Sequence, residues 1–221
     1  MTRYKPGHTI ADLRTNNRLD MPDSRSNGTS LSATSPSLLE QVAQRDPDAW
    51  RRLTELYGPL IFHWCRRQGL GEHDAADVLQ DVFASVARAV DGFELRPEAT
   101  FRGWLWTITR NQMRDWFRLR ARQTQAAGGT AAWQQLAEVA ESLSDNPDEF
   151  TEPSEMNALF RRGLELVRCE FENRTWQIFW QAVVHERPTS DVAEQFEISA
   201  NAVRQAKSRV LRRLRRELGG A

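Results

Sequence analysis

The sequence predicts an all-α protein: an N-terminal helical bundle and a C-terminal helix-turn-helix domain, joined by an acidic linker. Three observations carry that expectation. From about residue 37 onward apolar residues recur at helical spacing, and no segment alternates as a half-buried strand does. Breaker residues gather at a few places, among them Asp46-Pro47, Gly58-Pro59, Gly128-Gly129 and Pro188, and do not punctuate many short segments. Charge is segregated as well: residues 123–158 hold seven acids and no Lys or Arg, between two arginine-rich stretches.

Bulk composition sets few further limits. The 221 residues, 40% hydrophobic and 27% charged, suit one large or two small globular domains. Basic and acidic residues number 30 each, so net charge points to no polyanionic partner. Only Lys5 and Lys207 among the basic residues are lysine. The remaining positive charge is guanidinium, which suits phosphate and base-edge contacts and stacks on aromatic rings. Cys65 and Cys169 lie far apart without a CxxC, and His8, His63, His73 and His185 are scattered, so neither a disulfide framework, a metal site nor a cofactor is expected. No P-loop, GxSxG or paired-carboxylate pattern marks an enzyme. MTRYKPGHTI has no apolar signal core, and no apolar run approaches the roughly 18 residues of a membrane span, so the expected location is the cytoplasm.

Along the chain, residues 1–36 are rich in Ser, Thr, Asn, Asp and Arg without periodicity and read as a disordered extension. Residues 37–122 read as the first helical domain. Two helices are expected up to Gly69, with breaks at Asp46-Pro47 and Gly58-Pro59. EHDAADVLQDVFASVARAV is a strongly periodic third, and DGFELRPEAT a loop. Phe101 to Arg122 is a further helix carrying three tryptophans and six arginines against one acid, Asp115. Residues 123–158 form the acidic linker, within which AAWQQLAEVAESL has the pattern of a short helix. Residues 159–221 form the second domain, interrupted at Pro188.

On a wheel of about 100° per residue, Leu105, Ile108, Trp116 and Leu119 form one side of the Phe101–Arg122 helix, with Gln112 among them. Arg110, Arg114 and Arg118 fall opposite, flanked by Trp106 and Phe117, while Trp104 and Asn111 share an edge. Trp116 is therefore expected in the core, and Trp104 and Trp106 outward. Arginines beside exposed rings suit single-stranded nucleic acid, phosphates meeting the guanidiniums and unpaired bases stacking on the rings. The alternative is a solvated face whose rings pack on a neighbouring helix.

PTSDVAEQFEISANAVRQAKSRVLRRLRREL has the layout of a helix-turn-helix, with Ser199 as N-cap of the second helix. Val203, Val210, Leu211, Leu214 and Leu218 make its apolar face, where Lys207 also falls and must snorkel or sit at the rim. Asn201, Arg204, Gln205, Ser208, Arg209, Arg212 and Arg216 make the other. Early residues of such a helix reach base edges and later arginines meet phosphates. Glu197 stands in the turn, where glycine is common.

Taken in order, DAADVLQDVFASVARAV, FRGWLWTITRNQMRDWFRLRAR and SDVAEQFEISANAVRQAKSRVLRRLRREL resemble three segments of the extracytoplasmic-function sigma factors of bacterial RNA polymerase. The first looks like the core-binding helix, the second like the promoter-melting helix, the third like the −35 reader. The resemblance implies a sigma region 2-like domain that docks on the polymerase clamp and opens the −10 element. It assigns Asp74, Asp77, Gln80 and Asp81 to core binding. Phe93, Arg96, Thr100, Phe101, Arg102, Trp104, Trp106, Arg110, Asn111, Arg114 and Arg118 are assigned to −10 capture and melting. In the region 4-like domain, contacting the polymerase flap, Asn201, Arg204, Gln205, Ser208, Arg209 and Arg212 are assigned to the −35 element. The acidic linker is implied to thread the polymerase's basic channels, and an anti-sigma protein is the group's usual restraint. Ala206 and Lys207 stand where the family commonly has arginine and leucine. The alternative function is a helix-turn-helix regulator that binds duplex DNA without polymerase, which leaves the Arg–Trp helix and the acidic stripe unused.

Overall fold

The protein is described here from a computed structural model covering residues 37–93, 100–126 and 130–219, the last range without the side chains of 130–132. The expected extension at residues 1–36 and Arg96 lie outside the described residues. Every regular element within them is helical.

Helix α1 (Leu38–Ala43) opens with a capping box: Glu40 N–H donates to Ser37 Oγ at 3.2 Å, and Ser37 N–H donates to Glu40 Oε2 at 2.6 Å. After a turn through Arg45, Asp46 caps α2 (Pro47–Arg67), accepting from the N–H groups of Asp48 and Ala49 at 2.8 and 3.0 Å. The break expected at Gly58-Pro59 does not occur, and α2 runs straight through it. Pro59, which removes the donor to the Glu55 carbonyl, and Glu55 itself are both exposed. Buried Gly58 faces Phe83 of α3 (Glu72–Ala89). A 3₁₀ turn, Val90–Gly92, follows, then α4 (Phe101–Ala126).

The expected acidic linker contains α5 (Thr130–Ser142), the short helix read over AAWQQLAEVAESL, then a 3₁₀ turn at Pro147–Glu149 and the start of α6 (Pro153–Arg168), and α5 lies along α4. Helices α7 (Asn173–Val183), α8 (Thr189–Gln195) and α9 (Ala200–Glu217) complete the chain. Ser199 caps α9 as expected, its hydroxyl accepting from Ala202 N–H at 3.1 Å. Glu197 in the turn adopts φ 53°, the left-handed conformation that glycine usually supplies.

One hydrophobic core runs through both expected domains, including Leu60 and Trp64 of α2, Met113 of α4, Val167 of α6 and Val210 and Leu214 of α9. A smaller cluster, Ile178, Val192, Val203 and Ala206, holds the helix-turn-helix together. Two glycines permit the joining. A Cβ at Gly163 of α6 would sit 2.8 Å from a Leu214 methyl of α9. Gly219, at φ 55°, brings the chain end onto α4, where Phe101 N–H donates to its carbonyl at 3.1 Å and an added Cβ would lie 2.6 Å from Phe101 Cβ. Among the described residues no helix is long and apolar enough to cross a membrane.

Candidate nucleic-acid interface

Helix α4 is buried on two sides, and this corrects the single-stripe expectation. Leu105 is buried as expected, and Gln112 donates to Ser85 Oγ of α3 at 3.0 Å. Trp106, expected outward, is 0% exposed. Its ring packs edge-on to Trp64 at 5.1 Å, stacks on Phe150 at 4.9 Å, and its Nε1–H donates to the Ser144 carbonyl at 3.2 Å. Phe117 is likewise buried, whereas Leu119, expected inside, is 54% exposed. Trp116 is only half-buried, with the Arg120 guanidinium 5.4 Å from its ring centroid. The cause is α5 and the segment after it, which supply a second packing partner that a wheel for one isolated face omits.

The arginine row meets that same segment. Arg102 contacts Asp148 at 2.6 Å, Arg110 pairs with Asp145, and Arg118 contacts Glu141 at 2.8 Å. Arginine numbers rise as acid numbers fall, so the pairs form an antiparallel ladder. Between them Arg114 donates to the carbonyls of Ala140 and Leu143 at 3.1 and 3.0 Å. It thereby caps the end of α5, where carbonyls lack helical partners and the dipole favours a cation. Arg118 holds the Glu141 carboxyl below its ordinary range through their hydrogen bond and its charge. Burial, and then the neighbouring Arg114 charge, lower the Arg110 pKa. Arg102 Nη1 and Arg110 Nε are buried without a hydrogen-bond partner.

At the N-terminal end of α4, Phe93, Phe101 and Trp104 meet. Ring centroids lie 5.5 Å apart for Phe93–Phe101, 4.9 Å for Phe93–Trp104 and 5.5 Å for Phe101–Trp104. Phe101 is buried and edge-on to Tyr57, so it supports the cluster; Phe93 and Trp104 are half-buried and present its accessible edge. Thr100 adjoins them, its hydroxyl accepting from Gly103 N–H at 3.1 Å. Asn111 is exposed further along.

On α3, Ala75, Val78, Val82 and Val86 face the core, which leaves Asp77, Gln80 and Asp81 exposed on the opposite side. Asp74 is half-buried, 3.5 Å from Arg120. On α9, all six residues expected to read DNA, Asn201, Arg204, Gln205, Ser208, Arg209 and Arg212, are exposed. Arg204, Ser208, Arg212 and Arg215 line one shallow groove with Lys207 and Leu211. Of the two places open to Lys207 it takes the rim: it is exposed, and Ala206 takes the buried place between Val203 and Val210. Unlike the row on α4, this basic surface is uncovered.

Sequence reasoning missed a buried ionic network. Arg213 forks onto Glu170, with Nε and Nη2 each 2.6 Å from a carboxylate oxygen, and reaches Glu217 at 2.6 Å. Glu217 also meets Arg52 of α2 at 3.4 Å. The four-residue spacing of Arg213 and Glu217 was the available signal, although such a pair ordinarily lies on the surface.

Residues 53–123 match the family Sigma-70 region 2. Among curated proteins the chain is similar to RNA polymerase sigma factor CnrH of Cupriavidus metallidurans, 36% identical over 83 residues, covering 38% of this chain and 42% of that protein. It is also similar to ECF RNA polymerase sigma factor SigE of Mycolicibacterium smegmatis, 28% identical over 126 residues, covering 56% and 45%. The chain thus spans less than half the length of either relative. A solved structure of CnrH in complex with the cytosolic domain of CnrY aligns over 80% of this chain and 92% of that one, at 24% identity and a TM-score of 0.33. The matched segment contains the acidic stripe of α3 and nearly all of α4, so this part of the chain is similar to region 2 of sigma-70 factors.

Proposed function

We propose that this chain acts as a sigma factor, a dissociable, non-catalytic subunit that gives bacterial core RNA polymerase promoter recognition and strand opening in the cytoplasm. The observation that carries the reading is the joining, on one chain, of a region 2 segment with an exposed acidic stripe to a helix-turn-helix with an exposed basic face. A regulator acting on duplex DNA alone has no use for the first.

In this reading residues 37–122 work as region 2, 123–158 as the linker and 159–221 as region 4. Asp77, Gln80 and Asp81, with Asp74 at the edge, dock on basic residues of the polymerase clamp. The Phe93–Trp104 edge, with Arg96, Thr100 and Arg102, takes a base flipped from the non-template strand. Flipping costs a few kcal/mol, and stacking on a ring returns roughly 1–3 kcal/mol per base. Asn111 and the arginines of α4 hold the strand's phosphates. Asn201, Arg204, Gln205, Ser208, Arg209 and Arg212 read the −35 element, while the domain meets the polymerase flap. The resemblance adds an anti-sigma protein as a regulatory partner.

Run-off transcription with core polymerase tests the proposal. Addition of this chain to core enzyme should produce promoter-dependent transcripts from a cognate fragment, and Trp104→Ala should impair open-complex formation while sparing core binding. A folded chain that shifts duplex promoter DNA unaided and never binds core polymerase would establish the regulator instead.

A further inference from the structure

We propose that the acidic segment from Glu141 to Asp148 is an internal competitor for the strand-binding face of α4. The free chain is then held closed, and DNA opens it by exchanging phosphates for carboxylates. The inference rests on the reading of α4 as the face that holds the melted strand.

Four observations converge on it. The ladder Arg102–Asp148, Arg110–Asp145 and Arg118–Glu141 places one carboxylate on each of three arginines assigned to the melted strand. Two residues beyond the segment the chain supplies a ring: Phe150 lies on Trp106 at 4.9 Å with planes 24° apart, the arrangement an unpaired base adopts on tryptophan. The match is nevertheless incomplete, because Arg102 Nη1 and Arg110 Nε are buried without acceptors. A buried donor without a partner is costly, and the carboxylates of this segment leave these two unsatisfied, whereas a strand presents non-bridging phosphate oxygens at every nucleotide. Finally, the cover is selective. The basic face of α9 stays open, so the restraint falls on strand capture and leaves duplex reading free.

The ladder is built to be exchanged. Its Arg118–Glu141 end is exposed, and pairs of that kind contribute little and weaken with salt. A continuous strand engaging several arginines together releases counterions at each phosphate, an advantage that separate carboxylates on the same chain lack.

Fluorescence anisotropy with a fluorescein-labelled single-stranded oligodeoxynucleotide of mixed sequence, combined with hydrogen exchange of residues 133–150, tests the proposal on the full chain. The variant Glu141→Gln/Asp145→Asn/Asp148→Asn removes three charges at nearly constant volume. It should bind the strand about tenfold more tightly than the parent, each weak pair giving up part of that factor. In the parent, DNA should speed exchange across 133–150, a readout that needs no substitution. Adding Trp104→Ala to the triple variant should remove the gain. Equal affinities, with 133–150 still protected when DNA is bound, would overturn internal competition. If the triple variant releases 133–150 and gains no affinity, the reading of α4 as a strand-binding face fails instead.

Discussion

Trp104 and Trp106 stand two residues apart on one helix yet differ in what they can do. Trp104 keeps an accessible edge, whereas Trp106 sits between Trp64 and Phe150 with its indole N–H satisfied. The wheel placed both outward because it gave α4 a single neighbour. Periodicity reports how wide an apolar arc is, not which distant segment covers it, and the acids that contact α4 lie 23 to 46 positions along the chain. Phe93, Phe101 and Trp104 at the start of α4 were named together only through the family resemblance, and the structure brings their rings into one cluster. Burial separates the two cysteines just as sharply. Cys65 is buried in α2 and burial pushes its thiol up to about 12, while Cys169 is exposed after α6. Because only the thiolate reacts, native protein at pH 8 should take up one equivalent of iodoacetamide, at Cys169, and a second only in denaturant. Peptide mapping checks this, and rapid native labelling of Cys65 would show that α2 opens far more readily than its packing implies.

At the scale of elements, the cap at Ser199 was easy to read and the interruptions were not. Ser199 forms the expected bond, and Ser37 with Glu40 and Asp46 before Pro47 cap α1 and α2 by the same chemistry, an acceptor side chain at a helical start. Gly58-Pro59 carries the same local signal as a true break. It is overridden because Leu53, Leu56, Leu60, Ile61 and Trp64 on either side belong to one continuous buried face. Keeping that face intact outweighs a proline penalty of about 3 kcal/mol in a helix interior. Pro59→Ala should therefore stabilise the protein. The restored N–H reaches the Glu55 carbonyl, and the gain is reduced by the roughly 0.4–1 kcal/mol that proline contributes by restricting the unfolded chain. A net gain of about 1–2 kcal/mol should raise the midpoint of thermal unfolding by roughly 2–8 °C, measured by circular dichroism. An unchanged or lowered midpoint would mean that α2 already bends to relieve the proline.

For the whole molecule, the sequence reads as two domains because a charged, breaker-containing stretch separates two apolar patterns. The contacts that join them are non-local: Tyr57 O–H donates to the Leu218 carbonyl at 2.9 Å, and Arg52 meets Glu217 across the interface. Glu217 is the centre of that joint, 1% exposed and bonded to Arg213, itself bound to Glu170. Removing one partner of a buried ionic group leaves the other desolvated and uncompensated, which costs about 3–5 kcal/mol. Glu217→Ala should lose stability on that scale. Glu217→Gln should lose less, since its amide oxygen still accepts from Arg213 at similar volume. Because one core spans both halves, the loss should appear as a single displaced transition in urea, with tryptophan fluorescence and far-ultraviolet circular dichroism coinciding. Trp64 and Trp106 report the first half, Trp176 and Trp180 the second. If Glu217→Ala instead split the curve, with the α6–α9 half unfolding first, the two halves would be separately folding units that merely dock. The closed arrangement would then be a contact between domains, not part of the folded core.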